Sequence, residues 1–286
     1  MKITFKSIII IILLCIMIVG STCNAHATKT ITIQPVELNP SAEKLARSVD
    51  IITARLHQFS PETVEISVRT EHNRIQVSIP DTLDEKIIEN LITQQGNIRF
   101  YATYEHSEFF KLFKGNKKLY SMLSTSNTTN YEPKIGCWPV TEQEKVNDYL
   151  KRLGQNSRYT FAWSRVADST TICLYALKLE NGKALPLTGA DMENVQVKQH
   201  KTRKINYVDF SFKGKAIERW ANITKENIGK SIAIVLDDII LCAPRVNTSI
   251  QSGKCSISGN FTLTEVRLLA AFGNNGPLPL SFTVVK

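Results

Sequence analysis

Asp237 and Asp238 stand side by side, and paired carboxylates are a first place to look for acid/base chemistry or a cation site. The pair sits between two apolar, β-branched runs, Ile232 to Leu236 and Ile239 to Cys242. Two such runs joined by two residues read as a tight hairpin, and Asp tolerates the positive φ that such turns need. Adjacent side chains in a tight turn diverge, so the turn is the expected role. The histidines offer no better set. His57, His72, His106 and His200 fall in unrelated segments, without a ligand partner three or four residues away. Ser256, Ser258 and Ser281 lack a nucleophile-elbow setting, and Gly214, Gly229 and Gly253 do not form a phosphate loop. Phe109, Phe110 and Phe113 form an aromatic cluster that suits a core or a surface for apolar peptide segments. The expectation is a protein that is not an enzyme and carries no cofactor or metal.

Met1 to Ala27 reads as a signal peptide. Lys2 and Lys6 precede a run of about a dozen apolar residues, and Ala25-His26-Ala27 is a cleavage pattern. An uncleaved anchor and a lipoprotein at Cys23 are the rival readings. Cleavage after Ala27 leaves 259 residues and lowers the formal charge from +9 to +7, because two lysines leave and no acid does. The remaining Lys and Arg are spread along the chain, which excludes a dedicated nucleic-acid stripe and leaves membrane contact at most peripheral. Four cysteines remain: Cys137, Cys173, Cys242 and Cys255. An even number in an exported chain suggests disulfides, and position favours Cys137–Cys173 and Cys242–Cys255. Free buried thiols are the alternative, and no Cys-x-x-Cys spacing supports zinc.

The elements that must position these residues follow from periodicity. Thr30–Val36 alternates as a strand. Ser41 opens a helix with Leu45, Val49, Ile52 and Leu56 on one face. Val64–Val68 and Ile75–Ile79 read as paired strands. Thr82 and Glu85 suggest a capping box before a helix that buries Ile87, Ile88, Leu91 and Ile92, and Ile98–Tyr104 is a strand. The order β-α-β-β-α-β predicts an α+β, ferredoxin-like (split βαβ) base. From Glu105 the texture changes to aromatic clusters and polar stretches, so 105–186 is expected as an inserted α+β head lobe. The base is then built from 28–104 and 187–286. In the second segment, Val195–Gln199 and Tyr207–Phe212 flank a basic turn, Lys201 to Lys204. A helix carries Ala216, Trp220 and Ile223, and the Asp-Asp hairpin follows. Pro244 ends its second strand, Cys255–Ser258 is extended, and Thr262 with Glu265 caps a last helix. Leu280–Val285 closes as a strand.

Several of these pieces, in order and spacing, resemble the SecD family of protein-export membrane proteins. They are Leu187-Thr188-Gly189-Ala190-Asp191, Glu226-Asn227-Ile228-Gly229-Lys230, Ala233 to Asp237, Ala243-Pro244 and Ile257-Ser258-Gly259-Asn260-Phe261-Thr262. The resemblance is to the first periplasmic domain only. SecD continues into membrane helices that hold its proton-coupling residues, whereas this sequence ends at Lys286, and none of those residues carries over. Cys242 and Cys255 depart from the family pattern together, which strengthens the expectation that they pair. The resemblance implies a non-catalytic periplasmic module that binds extended, unfolded or translocating polypeptide or assists export beside a Sec complex. A small-molecule binder or enzyme on the same fold, or an envelope structural role, is the alternative.

Overall fold

The computed structural model describes residues 28–60, 67–71, 73–112, 133–152, 157–165 and 170–285. Residues 1–27, read above as a signal peptide, and His72 and Phe113 lie outside the described residues. Strand β1 (Thr28–Pro35) buries Ile31 and Ile33, alternate residues on one face. Helix α1 (Ala42–Phe59) begins where Ser41 accepts from Lys44 N, and it buries Leu45, Ser48, Ile52, Arg55, Leu56 and Phe59. Strands β2 (Ser67–Glu71) and β3 (Arg74–Pro80) make a hairpin, with Ile75, Val77 and Ile79 of β3 in the core. Helix α2 (Glu85–Thr93) is capped by Asp84, whose carboxylate accepts from Ile87 N at 3.2 Å. The expected Thr82–Glu85 capping box does not form, because the helix starts later than it requires: Asp84 is the N-cap and Glu85 the first helical residue, not the third.

The first sheet has the order β13-β1-β3-β2, wholly antiparallel, where β13 is Phe282–Val284. This is the strand arrangement of a ferredoxin-like base with one exchange. The fourth place belongs to the last strand of the chain, while β4 (Ile98–Ala102) leaves for a second sheet. There β4 pairs with β10 (Ile232–Leu236), which pairs with β11 (Ile239–Cys242). Asp237 and Asp238 turn this hairpin at φ 44° and 69°, both left-handed as the two-residue connection requires. The chain of 28–104 and that of 187–286 are therefore laced together twice, at β1–β13 and at β4–β10.

The segment read as an inserted lobe continues that second sheet. Strands β5 (Lys134–Pro139), β6 (Tyr159–Ser164) and β7 (Thr171–Lys178) complete the order β4-β10-β11-β6-β7-β5, with β6 joined in parallel to β11 at Ile239↔Trp163. Helix α3 (His106–Leu112) and helix α4 (Gln143–Arg152) belong to the same segment. Phe109, Ile135, Trp138, Val146, Leu174 and Ala176 form its own small core. Phe109 is thus interior, which answers the choice between core and surface for that residue. Cys137 and Cys173 face each other across β5 and β7 and are bonded, as expected.

A third sheet has the order β12-β9-β8, with β8 (Met192–Gln199), β9 (Asn206–Phe212) and β12 (Lys254–Phe261). Its apolar face carries Val195, Val208, Phe210, Phe212 and Ile257 into the main core. Helix α5 (Lys215–Glu226) contributes Trp220, whose ring packs against Phe212 at 5.1 Å and a tilt of 45°. Helix α6 (Leu263–Asn275) opens with the expected capping box, Thr262 with Glu265.

Candidate functional site

The residues singled out from sequence hold joints between elements. Asp237 is the clearest case. Its two carboxylate oxygens accept from the backbone N–H groups of Gly96 and Asn97, each at 2.7 Å, and its own N–H donates to Asn97 O. The turn thus ties the β10–β11 hairpin to the chain leaving α2. Behind it lies Arg55, fully buried at 0% exposure. Its guanidinium donates to the carbonyls of Leu91 and Gln94 through Nη1, and to those of Gln95 and Gly276 through Nη2. It also stacks over the Phe272 ring at 4.7 Å. Burial lowers the Arg55 pKa from 12.5 to about 10 and Asp237 pulls it back up, so the group stays charged at neutral pH. Gly96, at φ +82°, allows this approach: a Cβ there would stand 2.4 Å from Arg55 Nη2.

The other motif residues do similar work. Thr188 and Asp191 form a reciprocal cap, Leu187 is fully buried, and Gly189 lets Ile98 come close. Asn227 caps α5 by donating to Ile223 O at 2.9 Å, and Gly229 N–H donates to Val246 O. Ile232 N–H donates to Pro244 O, and Ala243 packs beside Val235 and Ile240. Gly259 and Asn260 form an irregularity in β12, where the register with β9 shifts between Ser258 and Phe261. Arg165, from the 105–186 segment, meets it there. It pairs with Glu265 at 2.7 Å, donates to Asn260 O and lies over the Phe261 ring.

The expected Cys242–Cys255 disulfide is corrected by the structure: both thiols are free. Cys242 stands opposite Ile234 in the second sheet, and Cys255 opposite Phe210 in the third. The connection between them does not fold back as a hairpin. Val246 is held by Gly229 and Lys230, and Ile250 N–H donates to Thr224 of α5, so the chain is led away to another sheet. Burial pushes both thiols up to about 12, from an ordinary 9.0. Since the folded values lie above the unfolded one, the stability they contribute is full below about pH 9 and is lost as pH rises towards 12. Both thiols are half-buried, and the protonated form dominates at pH 7.5, so a maleimide should label them more slowly in the folded protein than in urea. Equal rates in the two states would contradict that shielding.

Beside β12, a groove of about 840 Å³ opens between the third sheet and the 244–250 connection. Trp220, Ile232, Pro244, Arg245, Ile250 and Cys255 line it. β12 is an edge strand, exposed at Lys254, Ser256, Ser258, Gly259 and Asn260. The Trp220 indole N–H is buried without a hydrogen bond of normal geometry, although it acts on the Cys255 thiol and draws its pKa down against burial. No sequence signal marked Arg55, Arg165 or Trp220 as special, beyond an arginine on the apolar face of α1. Among the described residues, no group of three or more His, Cys, Asp or Glu is placed to hold a metal.

Residues 175–280 match the family model described as "SecDF, P1 head subdomain". The protein translocase subunit SecD of Rickettsia bellii (strain RML369-C) is 38% identical over 265 residues, covering 88% of this chain and 42% of that protein. The chain is a relative of SecD. The SecD subunit of Endomicrobium trichonymphae is 27% identical over 247 residues, 85% of this chain and 46% of its own. The chain thus spans less than half the length of these SecD proteins. A solved structure described as "Structure and function of a membrane component SecDF that enhances protein export" shares the fold, with a TM-score of 0.53 at 18% identity over 90% of this chain and 98% of that one. The stretch matched as the SecDF head, 175–280, contains every motif residue named above and the groove. The head-like position expected from sequence was 105–186.

Proposed function

We propose that this chain is a non-catalytic, exported module of SecD type that receives extended polypeptide along the open edge of β12. The observation that carries this reading is the groove beside an unpaired strand edge, with apolar Trp220, Ile232 and Ile250 on its wall. A strand edge offers unspent backbone donors and acceptors to any extended chain, and the groove takes its side chains without demanding one sequence. Among the described residues, we find no convergent set of acid, base and nucleophile that would favour an enzyme reading. The kinship with SecD supports a place in protein export and contact with a Sec complex. The Cys137–Cys173 bond suits an oxidising compartment such as the periplasm. No helix among the described residues is long and apolar enough to cross a membrane. We also take 28–104 and 187–286 as one base with 105–186 inserted, a division supported by the β1–β13 and β4–β10 pairings.

The test is binding of a fluorescent, permanently unfolded polypeptide to the full chain, beside the same polypeptide folded. The unfolded form should bind and the folded form should not. Ile250→Asp, which sets an unpaired charge on the groove wall, should weaken binding about tenfold or more. Indifference to both forms, together with turnover of a small molecule, would sink the reading.

A further inference from the structure

The groove is lined on the β8–β9 hairpin as far as Lys198, and the tip beyond it, 201–205, is left unused. Between Glu193 and Asp209 the sequence contains no acid but four cations: Lys198, Lys201, Arg203 and Lys204. All four are exposed, and none makes an ion pair among the described residues. The tip is a defined structure. His200 N–H donates to Ile205 O, Lys204 N–H to His200 O, and Arg203 N–H to His200 Nδ1 at 3.2 Å. Such a turn presents its cations together.

An apolar pair stands at the same end of the sheet. Ile205, at the base of the tip, is 41% exposed. Phe261 lies opposite Asn206, whose side chain donates to Phe261 O, and two residues on Leu263 is 44% exposed. Arg267 follows Leu263 by four residues, on the same face of α6, and is exposed too. The nearby acids are engaged: Glu265 with Arg165 and Thr262, and Asp209 with Ser256. Cations surrounding isolated, exposed aliphatic side chains suit an interface where negative headgroups border hydrocarbon. An acidic protein surface would satisfy the charges but would leave both aliphatic residues without an apolar layer to enter.

We propose that this end of the third sheet, the Lys201–Lys204 tip with Ile205, Leu263 and Arg267, rests on an anionic phospholipid surface. This is independent of polypeptide binding at β12, since Lys201, Arg203, Lys204, Ile205, Leu263 and Arg267 all lie outside the lining of the groove.

The experiment uses the full chain carrying Ile205→Cys, with Cys15, Cys23, Cys242 and Cys255 changed to alanine so that the label has one site, labelled in the folded state with an environment-sensitive fluorophore. The vesicles are phosphatidylethanolamine with phosphatidylglycerol, or phosphatidylcholine alone. The label should shift to the blue on the anionic vesicles only, and salt at about 0.5 M should abolish the shift. Each cation near such a surface contributes about fivefold, so Lys201→Gln, Arg203→Gln and Lys204→Gln together should weaken binding about a hundredfold. Residues 1–27 are present in both proteins and cannot produce that difference. An unshifted label, an equal shift on phosphatidylcholine, or an unchanged affinity of the triple variant would each overturn the proposal. A shift with polyglutamate but not with vesicles would assign the tip to an acidic polypeptide. An unchanged melting temperature for the triple variant is the expected control, because the three side chains are exposed. A fall of many degrees would mean that the tip serves the fold instead.

Discussion

Arg55→Met will lower the unfolding free energy by about 3–5 kcal/mol, the largest effect expected of any single substitution away from the disulfide. The four carbonyls that the guanidinium serves belong to the end of α2, the residues after it and the end of α6. An apolar side chain of similar length fills the volume but leaves those oxygens dry and unpartnered. Arg55→Lys should fall between, because an ammonium cannot reach four carbonyls in one plane as the forked guanidinium does. Urea unfolding would read the effect as a lower midpoint at constant slope. The coupling to Gly96 makes the test sharper. Gly96→Ala faces both a positive φ and the Arg55 Nη2 atom at 2.4 Å, and only the second cost should disappear in the Arg55→Met background. A change below about 1 kcal/mol for Arg55→Met would show that the carbonyls find other partners and that the node is not what joins α1, α2 and α6.

Reduction of Cys137–Cys173 should cost about 3–4 kcal/mol, the loop-closure value for a sequence separation of 36, and lower the melting temperature by about 10 °C. The bond fastens β5, an edge strand, to β7. Loss of amide protection should therefore concentrate in β5 and β7, while β1, β3 and β13 keep theirs. A reduced protein with both thiols titratable and an unchanged melting temperature would mean that Trp138, Ile135 and Leu174 hold the edge without the bond.

The likeness to SecD bears on what the motif residues are for. Asp237, Asn227, Gly229, Thr188 and Gly189 hold strand, helix and turn junctions, and none of them points a free functional group at the groove. What the groove offers instead is general: a strand edge, apolar walls and a few cations. That is the character expected of a surface that takes many extended chains without chemistry.

Local order was legible in the sequence. The stripe of α1, the alternation of β3, the Asp-Asp turn, the stop at Pro244 and the Thr262–Glu265 cap each depend on residues within a few positions of one another, where propensity and steric rules act directly. The β-α-β-β-α-β order also followed from periodicity. The partner of each strand did not. Ile98-Arg99-Phe100 of β4 and Phe282-Thr283-Val284 of β13 both read apolar-polar-apolar, and only the packed structure sends β13 to β1 and β4 to β10. Strand pairing is fixed by whole-chain burial, which no local window contains. The cysteines show the same limit. Cys137 and Cys173 meet because β5 and β7 are neighbours, whereas Cys242 and Cys255, much closer in sequence, are parted when the intervening loop binds α5. Arg55 is the extreme case. By type it belongs on a surface, and only the convergence of four carbonyls from elements up to 221 positions away makes its burial favourable.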